Sequence, residues 1–279
     1  MREGQVRVAG VRSPLIQAGP EGAHEAVLFV HGNPDSCIEW TDLVARTGEF
    51  ARAVAFDMPG FGRADKPRRY DYSVRGYARF IAGALEQLEI QRVHLVIHDF
   101  GGPFGLTWAA EHPGAFASVV LINTPPVSNY RWYLLAKVWR TPGLGELLHL
   151  TLTRAFFDLN VKRGGGRPMP REALDRMWHD YDGGTRNAVL KLYRASPPKK
   201  VVPASEEFFA ELDRPALVVW GRRDAYIPVR FAEAHRRAFP HARYVYLDRS
   251  GHWPFLDDPD RVAEAVLPFL RLQVQGAEA

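Results

Sequence analysis

Three acid–base residues stand out because each follows an apolar, strand-like segment of the chain. Asp99 follows the segment that begins at Val93, and Asp224 follows the segment that begins at Ala216. His252 comes after the last such segment. Side chains at the carboxyl ends of parallel strands meet at one edge of a sheet, so these three can converge. An aspartate, a second acid and a histidine in this order predict nucleophilic attack followed by hydrolysis.

The stretch from Val93 to Gly105 has the layout of a nucleophile elbow, in which a strand, a tight turn and a helix present one reactive side chain. Its apolar, β-branched run predicts a buried strand that ends at His98-Asp99-Phe100. Two glycines and a proline follow at positions 101–103, where missing Cβ atoms let a helix start close to the strand. Asp99 could instead only cap that helix, as aspartate commonly does. The other two acid–base residues favour the catalytic interpretation.

Strand-like and helix-like segments alternate up to residue 124 and again after residue 212. This alternation predicts a doubly wound, mostly parallel sheet. An opening hairpin is predicted over 5–19, strands over 26–30, 51–56, 93–97, 117–123, 216–220 and 244–247, and helices over 35–43, 73–88, 101–110 and 259–272.

Helical spacing replaces the alternation between residues 125 and about 211. Helices are predicted over 130–138, 144–157, 171–181 and 184–193, and loops rich in Gly and Pro separate them. We therefore predict an α/β core over residues 1–124 and 212–279 with a helical cap over 125–211. The glycines between Arg163 and Arg167 are no phosphate loop, because no Gly-Lys-Ser/Thr follows them.

The composition excludes several classes of function. The chain has 279 residues, 46% of them hydrophobic and 24% charged, which is typical of a globular protein. Its net charge of +4 comes from scattered arginines and short pairs such as Lys199-Lys200, so no nucleic-acid partner is expected. A single cysteine, Cys37, and the lack of an apolar leader or membrane span predict a cytoplasmic protein. The sequence leaves open whether it is a monomer or a homodimer. No metal or organic cofactor is expected, since the sequence has a single cysteine and therefore no cysteine cluster.

These motifs resemble those of the α/β-hydrolase family over nearly the whole chain. The matching stretches are His31-Gly32-Asn33-Pro34, Asp57 to Gly62, the elbow, Gly221-x-x-Asp224 and Gly251-His252. An aspartate at the elbow is similar to the branch that contains epoxide hydrolases and haloalkane dehalogenases. The resemblance implies an α/β-hydrolase fold with an inserted helical cap, and a catalytic triad of Asp99, Asp224 and His252.

The chemistry of this branch suits a carboxylate, which is ionised at neutral pH and needs no base to attack an sp³ carbon. Asp99 would form an alkyl ester, and His252, oriented by Asp224, would activate the water that hydrolyses it. The backbone N–H groups of Phe100 and Asn33 are the candidates for the oxyanion hole of the second step. The candidates for substrate contact are His31, Pro34, Trp132 and Trp253.

The leaving group distinguishes the two activities of the branch. An epoxide oxygen leaves as an alkoxide and needs an O–H donor. Tyr193 resembles the second cap tyrosine of epoxide hydrolases, and either Tyr130 or Tyr133 is a candidate for the first. Each of them could also be a packing residue of the cap. We predict an epoxide hydrolase acting on a small apolar epoxide.

A haloalkane dehalogenase is the alternative, with a haloalkane as substrate. Its elbow likewise has no glycine at the position of Ile97, and its first loop can also read His-Gly-Asn-Pro. Dehalogenases, however, use a tryptophan N–H directly after the nucleophile, and Phe100 has no such donor. Substitute donors would have to come from Trp132, Trp139 or Trp178. A non-catalytic binding protein of the same fold is a third interpretation, but it would have no use for a triad.

Overall fold

An eight-stranded sheet forms the centre of the computed structural model, which describes residues 1–197 and 201–276. The basic pair Lys199-Lys200 lies outside the described residues. The strands are β1 (Arg2–Val8), β2 (Val11–Ala18), β3 (Glu25–Val30), β4 (Ala53–Phe56), β5 (Arg92–His98), β6 (Phe116–Ile122), β7 (Ala216–Gly221) and β8 (Arg243–Leu247).

The strand order in space is β1-β2-β4-β3-β5-β6-β7-β8. β1 and β2 form the predicted antiparallel hairpin, and β2 also runs antiparallel to β4. All other neighbouring strands are parallel. The structure therefore confirms the predicted doubly wound, mostly parallel sheet. The carboxyl ends of β5, β6 and β7 lie side by side, which is where the predicted catalytic residues follow.

The central strands are buried because helices cover both faces of a parallel sheet. Every residue of β6 and β7 is buried, and so is every residue of β5 after Arg92. This explains why these strands are continuous apolar runs without alternation. The helices around the core are α1 (Thr41–Thr47), α2 (Val74–Gln87), α3 (Gly101–Glu111), α10 (Arg230–Ala234), α11 (Pro254–Asp257) and α12 (Pro259–Gln275), numbered in chain order together with those described next.

Helices also make up the segment between β6 and β7. They are α4 (Leu134–Arg140), α5 (Leu144–Leu150), α6 (Arg154–Arg163), α7 (Arg171–Asp180), α8 (Gly183–Ala195) and α9 (Glu206–Leu212). Among the described residues of this segment there is no strand, in agreement with the predicted cap, whose boundaries stay a prediction. In residues 1–197 and 201–276, none of the helices is long and apolar enough to cross a bilayer.

Three predicted helices differ from the structure in where they begin or end. The helix expected over 144–157 is two helices, because the Thr153 side chain accepts a hydrogen bond from the N–H of Phe156 and starts a new one. The helix expected from Tyr130 begins only at Leu134. The helix expected over 35–43 begins as a short 3₁₀ turn at Cys37, because residues 32–35 form a turn of their own.

Candidate active site

Asp99 occupies the apex of a sharp turn between β5 and α3. Its φ of +47° lies in the left-handed region, which non-glycine residues seldom adopt and which often marks a functional site. The turn is held because the Asp99 carbonyl accepts hydrogen bonds from Gly102 N–H at 3.0 Å and from the Thr124 hydroxyl at 2.7 Å. A Cβ at Gly101 would lie 2.1 Å from the carbonyl oxygen of Val30, so only glycine allows α3 to begin there. The elbow predicted from sequence thus has the expected geometry.

Two backbone amides act on the Asp99 carboxylate. The N–H of Asn33 donates to Oδ1 at 3.0 Å, and the backbone N–H of Phe100 lowers the pKa of the same carboxyl group. Gly32 permits this approach, since a Cβ there would lie 2.4 Å from the Cβ of Asp99. The structure therefore brings both predicted oxyanion-hole residues to the predicted nucleophile.

His252 lies between the two acids that the sequence pairs with it. Its Nδ1–H donates to Asp224 Oδ2 at 2.8 Å, and its Nε2 is 3.6 Å from Asp99 Oδ2. The second distance is longer than a hydrogen bond. All three side chains are buried, so their charges interact in a poorly screened environment.

The position of Asp224 is fixed by a residue that the sequence analysis missed. Asn123 follows β6 with a φ of +38°, and its amide donates to Asp224 Oδ2 at 2.7 Å while its Oδ1 accepts from Gly221 N–H. The other oxygen, Asp224 Oδ1, accepts from the N–H groups of Tyr226 and Ile227 at 2.7 and 2.9 Å. A polar residue directly after an apolar strand was the available signal.

The carboxylates around His252 determine its charge. Burial opposes protonation of the ring, but Asp224, Asp99 and Asp35 together raise the pKa of His252 to about 9. In the free protein at neutral pH, the ring is therefore a cation next to the Asp99 carboxylate. Burial raises the pKa of Asp99. His252 and the backbone N–H groups of Asn33 and Phe100 act in the opposite direction but do not cancel the effect of burial.

A second buried acid–histidine pair supports the loop that carries His252. His98 Nε2–H donates to the backbone carbonyl of His252 at 2.7 Å, and Nδ1 lies 3.1 Å from Asp35 Oδ2. The indole N–H of Trp253 donates to the other oxygen of Asp35 at 2.8 Å. Burial works against ionisation of Asp35, but the hydrogen bond to His98 lowers its pKa. The sequence analysis assigned no role to His98 or Asp35.

Two of the three candidate tyrosines meet next to the nucleophile loop. The hydroxyl groups of Tyr133 and Tyr193 are 3.2 Å apart, and the Asn33 side-chain amide lies 3.4 Å from the Tyr193 oxygen. The Tyr130 hydroxyl instead donates to the backbone carbonyl of Tyr226 at 3.2 Å. The geometry therefore favours Tyr133 over Tyr130 as the partner of Tyr193, an alternative that the sequence left open.

A mostly apolar cavity opens above Asp99 and His252. Tyr133, Pro34 and Trp253 contribute to its wall together with aliphatic and aromatic residues of the segment between β6 and β7. The apolar side chains of the wall include Leu148, Leu152, Phe156, Phe157 and Val161. A lining of this kind suits an apolar substrate body.

Two expected substrate contacts are not part of this wall, as far as the described residues show. His31 lies under the loop, where its Nε2 accepts from the N–H of Met58 at 2.8 Å and its Nδ1 faces the Gly32 carbonyl. Trp132 stacks on Phe100 with ring centroids 5.5 Å apart. The expected substrate contacts of His31 and Trp132 are therefore wrong for the same reason: both rings pack against the loops around Asp99 and do not line the cavity.

Comparison with known proteins identifies the family. The sequence profile of the alpha/beta hydrolase fold matches residues 25–259, so the chain belongs to the α/β-hydrolase family. Haloalkane dehalogenase 2 of Mycobacterium tuberculosis is 28% identical over 259 residues, which cover 88% of each chain. The cis-3-alkyl-4-alkyloxetan-2-one decarboxylase of Xanthomonas campestris is 28% identical over 283 residues, 94% of this chain and 93% of that one.

The solved structure of an epoxide hydrolase, CorEH, superposes on this chain with a TM-score of 0.77 at 18% sequence identity. The match covers 96% of this chain and 98% of CorEH. At this identity the likeness concerns the fold. The family and the relatives together make this chain a hydrolase of the α/β class.

Proposed function

We propose that this protein is an epoxide hydrolase that opens an apolar epoxide to a vicinal diol through an alkyl ester on Asp99. One observation carries the proposal: the hydroxyls of Tyr133 and Tyr193 lie 3.2 Å apart, next to the same Asn33 whose N–H holds the nucleophile. The cavity wall includes both Asp99 and Tyr133, so one bound epoxide can reach both groups.

In the first step, Asp99 attacks one epoxide carbon. Oδ1 is held by the Asn33 N–H, which leaves Oδ2 as the attacking oxygen. The new Oδ2–C bond forms as the ring C–O bond breaks, and its electron pair stays on the epoxide oxygen. That oxygen takes a proton from a tyrosine hydroxyl. Burial raises the pKa of both Tyr133 and Tyr193 well above the ordinary value, so both keep their protons until an alkoxide, a stronger base, develops.

In the second step, water attacks the carbonyl carbon of the ester. Once Asp99 is esterified, its negative charge is gone, and His252 no longer gains from it. The lowered basicity lets His252 return its proton to the tyrosinate that the first step left, and the neutral ring then takes a proton from water, while Asp224 holds the ring. The N–H groups of Asn33 and Phe100 stabilise the oxyanion, and losing one such donor typically costs about 10²–10³ in rate. On collapse the ester C–O bond breaks, and the departing alkoxide takes the proton of the new carboxyl group. The diol is released, the Asp99 carboxylate is restored, and His252 keeps the proton from water as in the resting protein.

A haloalkane dehalogenase is the second candidate, favoured by one observation at the site. The indole Nε1 of Trp139, whose ring is part of the cavity wall, has no hydrogen-bond partner in residues 1–197 and 201–276. Together with the Asn33 amide it could bind a halide. The relative named haloalkane dehalogenase supports the same candidate. Phe100 opposes it, because it supplies no indole N–H directly after the nucleophile.

A substrate screen distinguishes these candidates. Purified protein is assayed with styrene oxide, 1-bromohexane and a cis-3,4-dialkyloxetan-2-one, the last because the decarboxylase relative is named for such a ring. Diol from styrene oxide without bromide from bromohexane is the expected result. Bromide release without diol would favour the dehalogenase, and carbon dioxide from the oxetanone alone would favour the activity named for that relative. No product from any of them would support a binding protein.

Tyr193→Phe sharpens the test, because it removes a hydroxyl and leaves the ring packing. We expect diol formation to fall about 10²-fold, the lower end for general acid catalysis, since Tyr133 retains a hydroxyl. Tyr130→Phe is the matched control, as its hydroxyl bonds a backbone carbonyl instead. Equal losses in both variants would contradict the assigned role.

A further inference from the structure

We propose that the cavity contains a second recognition site, formed by Trp139 and His149, that binds a neutral hydrogen-bond acceptor such as a ketone, ester or ether oxygen on the substrate. The inference deepens the proposed function and rests on it for the identity of the reacting group. It predicts that the substrate is not a plain hydrocarbon epoxide but carries an oxygen acceptor on its apolar body.

Unpartnered polar atoms on two side chains of the wall carry the proposal. Trp139 Nε1 and His149 Nδ1 have no hydrogen-bond partner among the described residues, although Trp139 is only 8% exposed and His149 only 6%. Both rings belong to the wall of the cavity that contains Asp99, and their centroids are 6.0 Å apart. Buried polar atoms without a partner are costly, so a partner from the substrate would be stabilising.

The environment of His149 shows which of its nitrogens donates. Nε2 is 3.1 Å from the Tyr181 hydroxyl, which has no other hydrogen-bond partner in the described part of the chain. If the hydroxyl donates to Nε2, the ring proton is on Nδ1 and only that N–H is unpaired. The opposite arrangement would leave both the Tyr181 hydroxyl hydrogen and Nδ1 unpaired. The first arrangement costs less, so Nδ1 is a free donor like Trp139 Nε1.

The charge at this site selects a neutral ligand. Burial, reinforced by Arg186 and Arg194, lowers the pKa of His149 to about 4, although Glu146 opposes the shift, so the ring is neutral at physiological pH. Both arginines already have partners: Arg186 donates to the His149 carbonyl, and Arg194 pairs with Glu146. The described wall of the cavity contains no lysine or arginine. Burying an anion here would therefore be expensive, whereas a carbonyl or ether oxygen fits two neutral donors.

The site lies close to the reacting groups. The Trp139 ring centroid is 4.9 Å from that of Tyr193 and 6.3 Å from that of Tyr133, so Trp139 stands between the tyrosine pair and His149. The acceptor oxygen should thus be a few bonds away from the epoxide ring. It would select and orient the substrate without taking part in bond breaking.

A binding experiment with unreactive ligands tests this site independently of turnover. Isothermal titration calorimetry compares 4-phenylbutan-2-one with 2-methyl-4-phenylbut-1-ene, in which a CH₂ group replaces the carbonyl oxygen. We expect the wild type to bind the ketone about tenfold or more tightly than the alkene, as two added hydrogen bonds predict. Trp139→Phe and His149→Phe should each reduce this preference about three- to tenfold with little change in alkene affinity. His149→Asn, which retains a donor, should restore part of it.

Trp178→Phe is the matched control, because Trp178 lies on α7 and packs on Phe157 rather than in the described cavity wall. It should leave the ketone preference unchanged. Equal affinities of the wild type for ketone and alkene would overturn the proposed site, as would a preference that survives both ring substitutions. Ketone preference in a protein that turns over no epoxide would refute the proposed function alone, and epoxide turnover without the preference would refute the site alone.

Discussion

Removing the charge of Asp99 should lower the pKa of His252, and the geometry sets the size of the change. The two side chains are 3.6 Å apart, and burial opposes the cation while Asp224, Asp99 and Asp35 raise its pKa to about 9. Unit charges at this separation interact by about 1 kcal/mol in water and by about 4–5 kcal/mol at an effective dielectric constant of roughly 20. Because one pKa unit corresponds to about 1.4 kcal/mol, Asp99→Asn should lower the pKa of His252 by about 1–3 units.

The sign of this shift is what the mechanism requires. The asparagine side chain has the shape of the carboxylate and the charge of the ester intermediate. A fall in the pKa of His252 means that esterification itself turns the resting cation into a neutral base near physiological pH. Without that fall, the ring would stay protonated during the hydrolytic step, and water activation would be slow.

Nuclear magnetic resonance measures the shift directly. Protein labelled with ¹³C at histidine Cε1 is titrated between about pH 5 and 10, and His252→Gln identifies the resonance by its absence. The wild-type resonance should titrate near pH 9 and that of Asp99→Asn at a lower pH. A change of less than about half a pKa unit, or a rise, would refute the reasoning.

Three further substitutions test the parts of the site. Asn123→Ala removes the amide that holds Asp224, so kcat should fall about 10–100-fold while circular dichroism stays native; an unchanged kcat would contradict its role. Gly32→Ala places a Cβ 2.4 Å from that of Asp99 and should abolish turnover, and activity close to that of the wild type would show that the loop can move. Tyr133→Phe should slow epoxide opening as Tyr193→Phe does, about 10²-fold, whereas a change seen only with a bromoalkane would count against the tyrosine pair.

Much of the core could be predicted from the sequence because local and tertiary requirements coincide there. The buried strands β5, β6 and β7 are apolar runs, and a parallel sheet with both faces covered demands such runs. In the segment between β6 and β7, periodicity alone joined 144–157 into one helix. Residues 151–153 interrupt the helix, because the Thr153 side chain caps a new helix. The spacing of apolar residues does not show whether a helix continues or a side chain caps a new one.

The placement of the site residues was predictable where a local sequence motif dictates the backbone conformation. Asp99 at the elbow and the backbone N–H groups around it are such cases. His31 and Trp132 were not predictable, because an aromatic ring near a catalytic loop can either line the cavity or pack under the loop. Asn123 was also missed, since its role depends on contact with Gly221, which lies 98 positions later in the chain and is brought next to it only by the sheet.

The covalent ester on Asp99 is the centre of this account, and intact-protein mass spectrometry of His252→Gln tests it most directly. After mixing with styrene oxide, the variant should accumulate an adduct that adds the whole mass of the epoxide, since ring opening expels no atom. Peptide mapping should place that adduct on Asp99, and Asp99→Ala should show neither adduct nor turnover. A burst of diol from His252→Gln with no adduct, or full turnover by Asp99→Ala, would contradict the account.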